Sequence, residues 1–487
     1  MALSTRSLAG IDASVAVPTY DRLALRPAIV HIGVGGFHRA HLATYVDELC
    51  AQGETGWAIA GAGVLPSDDT IAKVLRAQDH LYSLIIRGPD SVDVRVVGSI
   101  IDYIHASVTP QTLIRAIASP TTQVVSLTVT EGGYPVDDLD GSFRPDSPNA
   151  AGDSAFGLLV AALDRRRTAG QPGLTVLSCD NIIGNGQVTR AATLGVAENV
   201  DPTLAAWISL NVSFPNSMVD RITPATTDDD RRWLAETHGI VDAWPVATEP
   251  FRQWVVEDAF AGDRLPFDRL DVLTTSDVEP YELMKLRLLN SGHSCLAYLA
   301  ALDGLDTVDT AMATPHLRSF LEAFLSREAQ PVLPPISGID IDAYTTSLLE
   351  RFSNPNIGDQ ISRLCLDGTA KFPKFLLPTV RNQLSTGGPI RLAALALAGW
   401  CEYLTGPGDT LANDPRLDEA RAFAARSTSE PATFLSFREV FGDDLATADR
   451  FVESFVNALG HLRERGVRSA VEDALSEGPH LDGRQAH

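Results

Sequence analysis

Positive charge is scarce in this chain: 39 Lys and Arg stand against 62 Asp and Glu, a formal net charge of −23. Such a balance opposes nucleic-acid backbones and anionic membranes, so neither is an expected partner. Long hydrophobic runs are also missing. The longest apolar stretch, Leu392 to Cys401, is about half of what a bilayer requires, and Met1-Ala-Leu-Ser-Thr-Arg-Ser7 has no continuous apolar core of the secretory kind. Cysteines are few. Cys50, Cys179, Cys295, Cys365 and Cys401 form no CxxC pair, and the histidines form no HExxH or comparable cluster, so no metal site is expected. An odd number of unpaired-looking thiols suits a reducing cytoplasm. There is no internal repeat or long low-complexity segment, and the polar tail after Gly478 is expected to fray.

What is present points to two domains, because 487 residues exceed one compact core. Residues 1–280 alternate short apolar strands with helices and predict an α/β Rossmann-type N-terminal domain. Residues 281–487 predict a predominantly α-helical C-terminal domain, with helical patterns over Thr310 to Arg327, Ile390 to Leu404 and Leu417 to Arg426. Loops such as Gln330-Pro-Val-Leu-Pro-Pro335 interrupt them.

Pro27-Ala-Ile-Val-His-Ile-Gly33-Val-Gly35-Gly36-Phe37-His38-Arg39-Ala-His41 reads as a buried strand, a glycine turn and a helix start. That order lets backbone N–H groups hold a pyrophosphate. Gly33 and Gly35 occupy the first two positions of the dinucleotide fingerprint, while His38 stands where the third glycine is expected. A tight strand-to-helix turn with no nucleotide is the plainer reading of the same residues. His31, His38 and His41 gather here, but their spacing spans a strand end and a helix start rather than one helix face, which argues against zinc.

A second strand at Trp57 to Val64 leads to Asp68 and Asp69, in the region where a carboxylate grips the adenosine ribose of NAD and repels the 2′-phosphate of NADP. Either aspartate equally suits a helix cap near Thr70. Strands at Gln123 to Thr130 and Leu174 to Cys179 bring Thr130 and Asp180-Asn181 to carboxyl ends, where ligands of open α/β sheets bind.

Tyr281-Glu-Leu-Met-Lys-Leu-Arg-Leu-Leu-Asn-Ser-Gly-His293 is largely apolar apart from a polar set. On a regular α-helix Lys285 sits at 0°, Glu282 near about 60°, His293 near about 80° and Asn290 near about 140°. One reading is an intrahelical Glu282–Lys285 pair with two satisfied core polars. The other is a base with supporting donors, since a buried amine without partners is costly.

The chain resembles the polyol-specific long-chain dehydrogenases, the mannitol 2-dehydrogenase family. The residues that carry the likeness are Gly33 to His41, Ala77-Gln-Asp-His-Leu-Tyr82, Cys179-Asp-Asn181 with Gly184-Asn-Gly186, Pro215 to Pro224, and Glu279 to Lys285 through His293. It runs from about residue 17 to about residue 475. The resemblance implies NAD-dependent interconversion of a polyol and its ketose, mannitol and fructose first, with arabinitol, or fructuronate and tagaturonate, as alternatives on the same scaffold. A nicotinamide-binding regulator without chemistry is the competing class.

The resemblance further implies Lys285 as general acid/base, Asn290 and Asn181 as oxyanion donors, and His293 on the reacting oxygen. It places Glu282 in a proton channel, Asp220 near the nicotinamide, and Arg363 and Lys371 on the sugar chain. A surface salt bridge to Arg221 is the alternative for Asp220. With Gly33, Gly35, Gly36, Phe37, Asp68, Asp69 and Thr130 these complete the candidate site. The same likeness suggests a monomer or weak oligomer, and the catalytic helix begins where the two domains are expected to meet, the usual place for a ligand cleft.

Overall fold

β1 (Pro27–Ile32) is buried on both faces because its residues, Pro-Ala-Ile-Val-His-Ile, are nearly all apolar, as a central parallel strand requires. The structure is a computed structural model that describes residues 1–137, 141–406, 414 and 416–476. The tail expected to fray lies outside the described residues. Its contacts separate two units, Met1–Glu282 and Leu283–His487.

In the first unit β1 pairs in parallel with β2 (Ala58–Gly63) on one side and, on the other, with the later strand Val124–Leu127. The strands Tyr82–Arg87, Val92–Val97 and Ile100–His105 are β3, β4 and β5, so Val124–Leu127 is β6, and Thr175–Ser178 is β7. The order β5-β2-β1-β6-β7 is fully parallel. The strand order reverses between β1 and β6, which opens the ligand crevice of such sheets at their carboxyl ends.

Alternation of side chains supplies two cores. Ile29, Ile59 and Val124 point to one face, against Tyr45, Val46 and Leu49 of the Leu42–Ala51 helix. Val30, Ile32, Val125 and Leu127 point to the other, against Leu113, Phe156 and Leu159.

Two smaller sheets join this unit, β4-β3-β9 and β11-β10-β8, formed with β8 (Ser217–Asp220), β9 (Val246–Thr248), β10 (Gln253–Glu257) and β11 (Leu273–Thr275). The sequence offers no clear sign of them. Their last strands are three residues long, too short for an alternating pattern to show.

The second unit is helical. Arg391–Thr405 packs against Asp449–Leu475, and Trp400 gathers Phe372, Tyr298, Phe434 and Phe441 around it. The helical pattern from Thr310 to Arg327 is cut once, into Val308–Ala313 and Pro315–Ala323, the latter continuing as a π turn over Phe324–Ala329, because Pro315 has no N–H for the preceding turn and is well placed only to begin a helix. Among the described residues no helix is long and apolar enough to cross a membrane.

Glu328 holds the head of the Arg391–Thr405 helix from inside the unit. Its two carboxyl oxygens accept the N–H groups of Leu392 and Ala393, each at 2.8 Å, and burial pushes its pKa up to about 7. The folded chain therefore keeps a proton that the unfolded chain releases in the ordinary carboxyl range, so stability falls as pH rises through that window toward 7. Denaturant midpoints measured from pH 4.5 to 7 should show a loss of about 1–3 kcal/mol that disappears in Glu328→Gln.

Candidate active site

Gly33 closes β1 with φ +99°, and a Cβ there would lie 2.1 Å from the Thr128 carbonyl oxygen, so no other residue fits. Gly35 differs. It is exposed, and the nearest atom to a Cβ built there is 3.9 Å away. The protein itself does not demand that glycine; an approaching ligand would. The turn continues into the short helix Gly36–Ala40, with Phe37 half-buried and stacked on His41 at 5.1 Å.

The three histidines brace this turn. His31 contacts Ser126 Oγ at 2.8 Å and Thr128 Oγ1 at 2.9 Å, and the Thr128 hydroxyl donates to the Gly33 carbonyl at 2.6 Å. His38 stacks on His31 with centroids 3.4 Å apart, and His41 Nε2 lies 2.9 Å from the Gln253 carbonyl. Burial lowers the pKa of each, to about 3 for His31 and His41, so all three rings are neutral. Among the described residues no group of three His, Cys, Asp or Glu is arranged to hold a metal ion.

Asp68 and Asp69 follow β2, as expected. Neither side chain caps the helix that begins at Asp69. Asp68 Oδ2 accepts the Leu65 N–H at 2.8 Å, and half-exposed Asp69 pairs with Lys73 at 2.5 Å. Asp220 is only 2% exposed, at the end of β8. That excludes the surface salt bridge, and Arg221 instead donates to the carbonyls of Glu249 and Ala40.

Asp180 is the residue that sequence reasoning undervalued. Its carboxylate accepts the N–H groups of Val129 and Thr130 at 3.1 and 2.9 Å and the Tyr134 hydroxyl at 2.7 Å. Thr130 has φ 63° and ψ 164°, a conformation costly for any residue but glycine. The buried carboxylate thus holds the strained end of β6 in place, and strain of this sort concentrates at functional sites. The signs in the sequence were its place just past a strand's carboxyl end and its adjacency to Asn181, which is exposed in the loop after β7.

Glu282 is also tied to this region: one oxygen accepts the Gly184 N–H at 2.9 Å, three residues beyond Asn181. Glu282 is 4% exposed and Lys285 is 6% exposed.

The polar helix is not regular. Glu279–Lys285 is α-helical, Leu286–Asn290 is a wider π turn, and Ser291–Leu302 resumes as α-helix. The Ser291 hydroxyl bonds the Arg287 carbonyl while the Ser291 N–H reaches back to the Leu286 carbonyl. The N–H thus passes over the acceptor that an α-helix would use and bonds one residue further back. A π turn advances by roughly 80° per residue, which brings Asn290 from about 140° to about 40° of Lys285 and His293 from about 80° to about −20°. The regular wheel therefore spread the polar face too widely. Insertions of this kind recur at functional sites.

Asn290 is half-buried, and its Oδ1 is enclosed without a partner among the described residues. His293 lies flat on Phe352, centroids 4.0 Å apart and 5° between planes. Burial, then the nearby cations Arg363, Arg351 and Lys371, lower the pKa of His293 well below its ordinary value. Arg363 is exposed and binds Asp359 through two bonds, and Lys371 Nζ donates to the Leu364 carbonyl at 3.2 Å.

Two family models match the chain, the mannitol dehydrogenase Rossmann domain over residues 27–269 and the mannitol dehydrogenase C-terminal domain over residues 277–463. A mannitol 2-dehydrogenase of Phaeosphaeria nodorum is 41% identical over 485 residues, covering 96% of this chain and 85% of that one. The structure of Pseudomonas fluorescens mannitol 2-dehydrogenase in a ternary complex with NAD and D-mannitol superimposes with a TM-score of 0.92 at 40% identity, covering 98% of this chain and 100% of that chain. A substrate-free D-sorbitol dehydrogenase superimposes with a TM-score of 0.86 at 34% identity, covering 96% and 100%.

Proposed function

The chain belongs to the mannitol dehydrogenase family, and from that premise we propose that it interconverts D-mannitol and D-fructose with NAD, using Lys285 as general acid/base. That it is a polyol dehydrogenase follows from its relatives along nearly the whole length. The finer reading rests chiefly on one observation: Lys285 is buried in an apolar helix, immediately before a π turn that draws Asn290 and His293 toward its face.

A lysine can remove an alcohol proton near neutral pH only if its pKa falls by several units from about 10.4, and burial acts in that direction. In oxidation Lys285 takes the hydroxyl proton; in reduction it returns one to the ketone oxygen. Asn290 and Asn181 donate amide N–H groups to the developing alkoxide without competing for the proton. His293, neutral, hydrogen-bonds the reacting oxygen, Glu282 carries protons onward from Lys285, and Arg363 and Lys371 bind the sugar chain.

Bound NAD supplies the hydride acceptor. The residues of the first unit fit it: a Cβ at Gly35 would meet only the Gly33 carbonyl oxygen, at 3.9 Å, so Gly35, Gly36 and Phe37 would hold the diphosphate, Asp68 and Asp69 would hold the ribose, and Thr130 and Asp220 would hold the nicotinamide.

An activity panel of mannitol, arabinitol, sorbitol, fructose, fructuronate and tagaturonate with each coenzyme tests the substrate. Mannitol oxidation and fructose reduction with NAD(H) are expected; strong reduction of uronates with none of fructose would overturn the choice. Asn290→Ala and Asn181→Ala are each expected to slow turnover roughly a hundredfold, the typical loss of one oxyanion donor. A loss confined to KM in pre-steady-state and steady-state assays would make them binding residues instead.

A further inference from the structure

An exposed arginine in a sugar site suits a neutral polyol and a sugar acid alike, because a guanidinium serves single hydroxyls and also matches a carboxylate with two parallel bonds. Arg363 has one of its two forks already filled. Its Nε and Nη2 donate to Oδ1 and Oδ2 of Asp359 at 2.8 and 2.6 Å. The pair is lopsided: the arginine side chain is 43% exposed and the aspartate 4%. The same Oδ2 lies 4.0 Å from His293 Nε2, which is buried without a hydrogen-bond partner among the described residues. Asp359 therefore sits behind two residues assigned to the substrate and touches one of them directly.

We propose that Asp359 determines specificity: its buried carboxylate neutralises the accessible Arg363 guanidinium and so tunes the site to uncharged polyols and ketoses over sugars that carry a carboxylate. The inference rests on the polyol reading of this site and deepens it. A substrate carboxylate on the remaining Nη1/Nη2 fork would share one cation with Asp359, and the two like charges repel. A hydroxyl meets no such opposition. Without the Asp359 charge, the buried side of Arg363 lacks its counter-ion, and a single unpaired member of such a pair is the unfavourable state. An incoming carboxylate then supplies the missing anion. His293, held neutral among cations, remains an uncharged partner for a hydroxyl in either case.

The test uses the full chain with bound NADH and two probes, D-mannitol and D-mannonate, the latter bearing a carboxylate at C1, as inhibitors of fructose reduction. In the parent enzyme mannonate should bind at least tenfold more weakly than mannitol. In Asp359→Asn the ratio should move at least tenfold toward mannonate, with the fructuronate-to-fructose ratio of kcat/KM moving the same way. The KM for fructose should rise, while the NADH Kd from fluorescence titration stays unchanged. Asp359→Glu should keep the parent preference.

A folded Asp359→Asn enzyme that binds NADH with both ratios unmoved overturns the proposal. If that variant does not fold, the parent decides: mannonate bound as tightly as mannitol overturns it, and exclusion of mannonate supports it. A parent enzyme that turns over no polyol or ketose at all defeats the polyol reading instead, which separates the two failures.

Discussion

Lys285→Ala is expected to lower turnover by about 10²–10⁴-fold, the range carried by a positioned acid/base group, while NADH binding measured by fluorescence should stay within about twofold of the parent. The expected loss follows from burial. At 6% exposure the amine is poorly reached by solvent, so water is a weak substitute. Small primary amines should restore part of the rate, more as their own pKa approaches the assay pH. The Lys285→Ala profile should also lose the limb of the kcat/KM curve that reports the free base. A variant with near-parental rates at every pH would show that another group moves the proton.

Gly33→Ala has the second-largest expected effect, and it separates the proposed coenzyme turn from the helix that carries Lys285. The added methyl would lie 2.1 Å from the Thr128 carbonyl oxygen, on a backbone with φ +99°. Relief requires β1 and the end of β6 to move apart, so a loss on the order of 3 kcal/mol in stability and at least a hundredfold weaker NADH binding are expected. Gly35→Ala provides the comparison. Its methyl meets nothing closer than 3.9 Å, so the melting temperature of the free protein should hold while coenzyme affinity drops. Equal losses of stability in both variants would mean that the space before Gly35 is not reserved for a ligand.

The parallel sheet and its turn were legible because their signals are local. Largely apolar six-residue runs, Pro27–Ile32 followed by Gly33 and Ala58–Gly63 ending in glycine, suit few structures besides buried parallel strands. Lys285, Asn290 and His293 were legible as a polar set on an apolar helix for the same reason. Their angular positions were not, because the Ser291 N–H bonds the Leu286 carbonyl rather than that of Arg287, a shift that helical periodicity does not encode. Asp180 was placed at a strand end without its bracing role, and Asp359 was missed, for another reason: each works through partners fixed by loop geometry. Asp180 takes two backbone N–H groups from a loop about fifty residues earlier, and Asp359 combines a nearby arginine with a histidine sixty-six positions away.

Residue order alone settled the alternation of strands and helices in the first unit, the helical character of the second, and the kinds of chemical group available, since burial patterns and turn chemistry act over a few neighbouring residues. Folding in three dimensions decided which of those groups are shielded, braced or neutralised. Solvent exclusion and charge pairing depend on residues brought together from distant parts of the chain, and those terms set the expected chemistry of Lys285, His293 and Arg363.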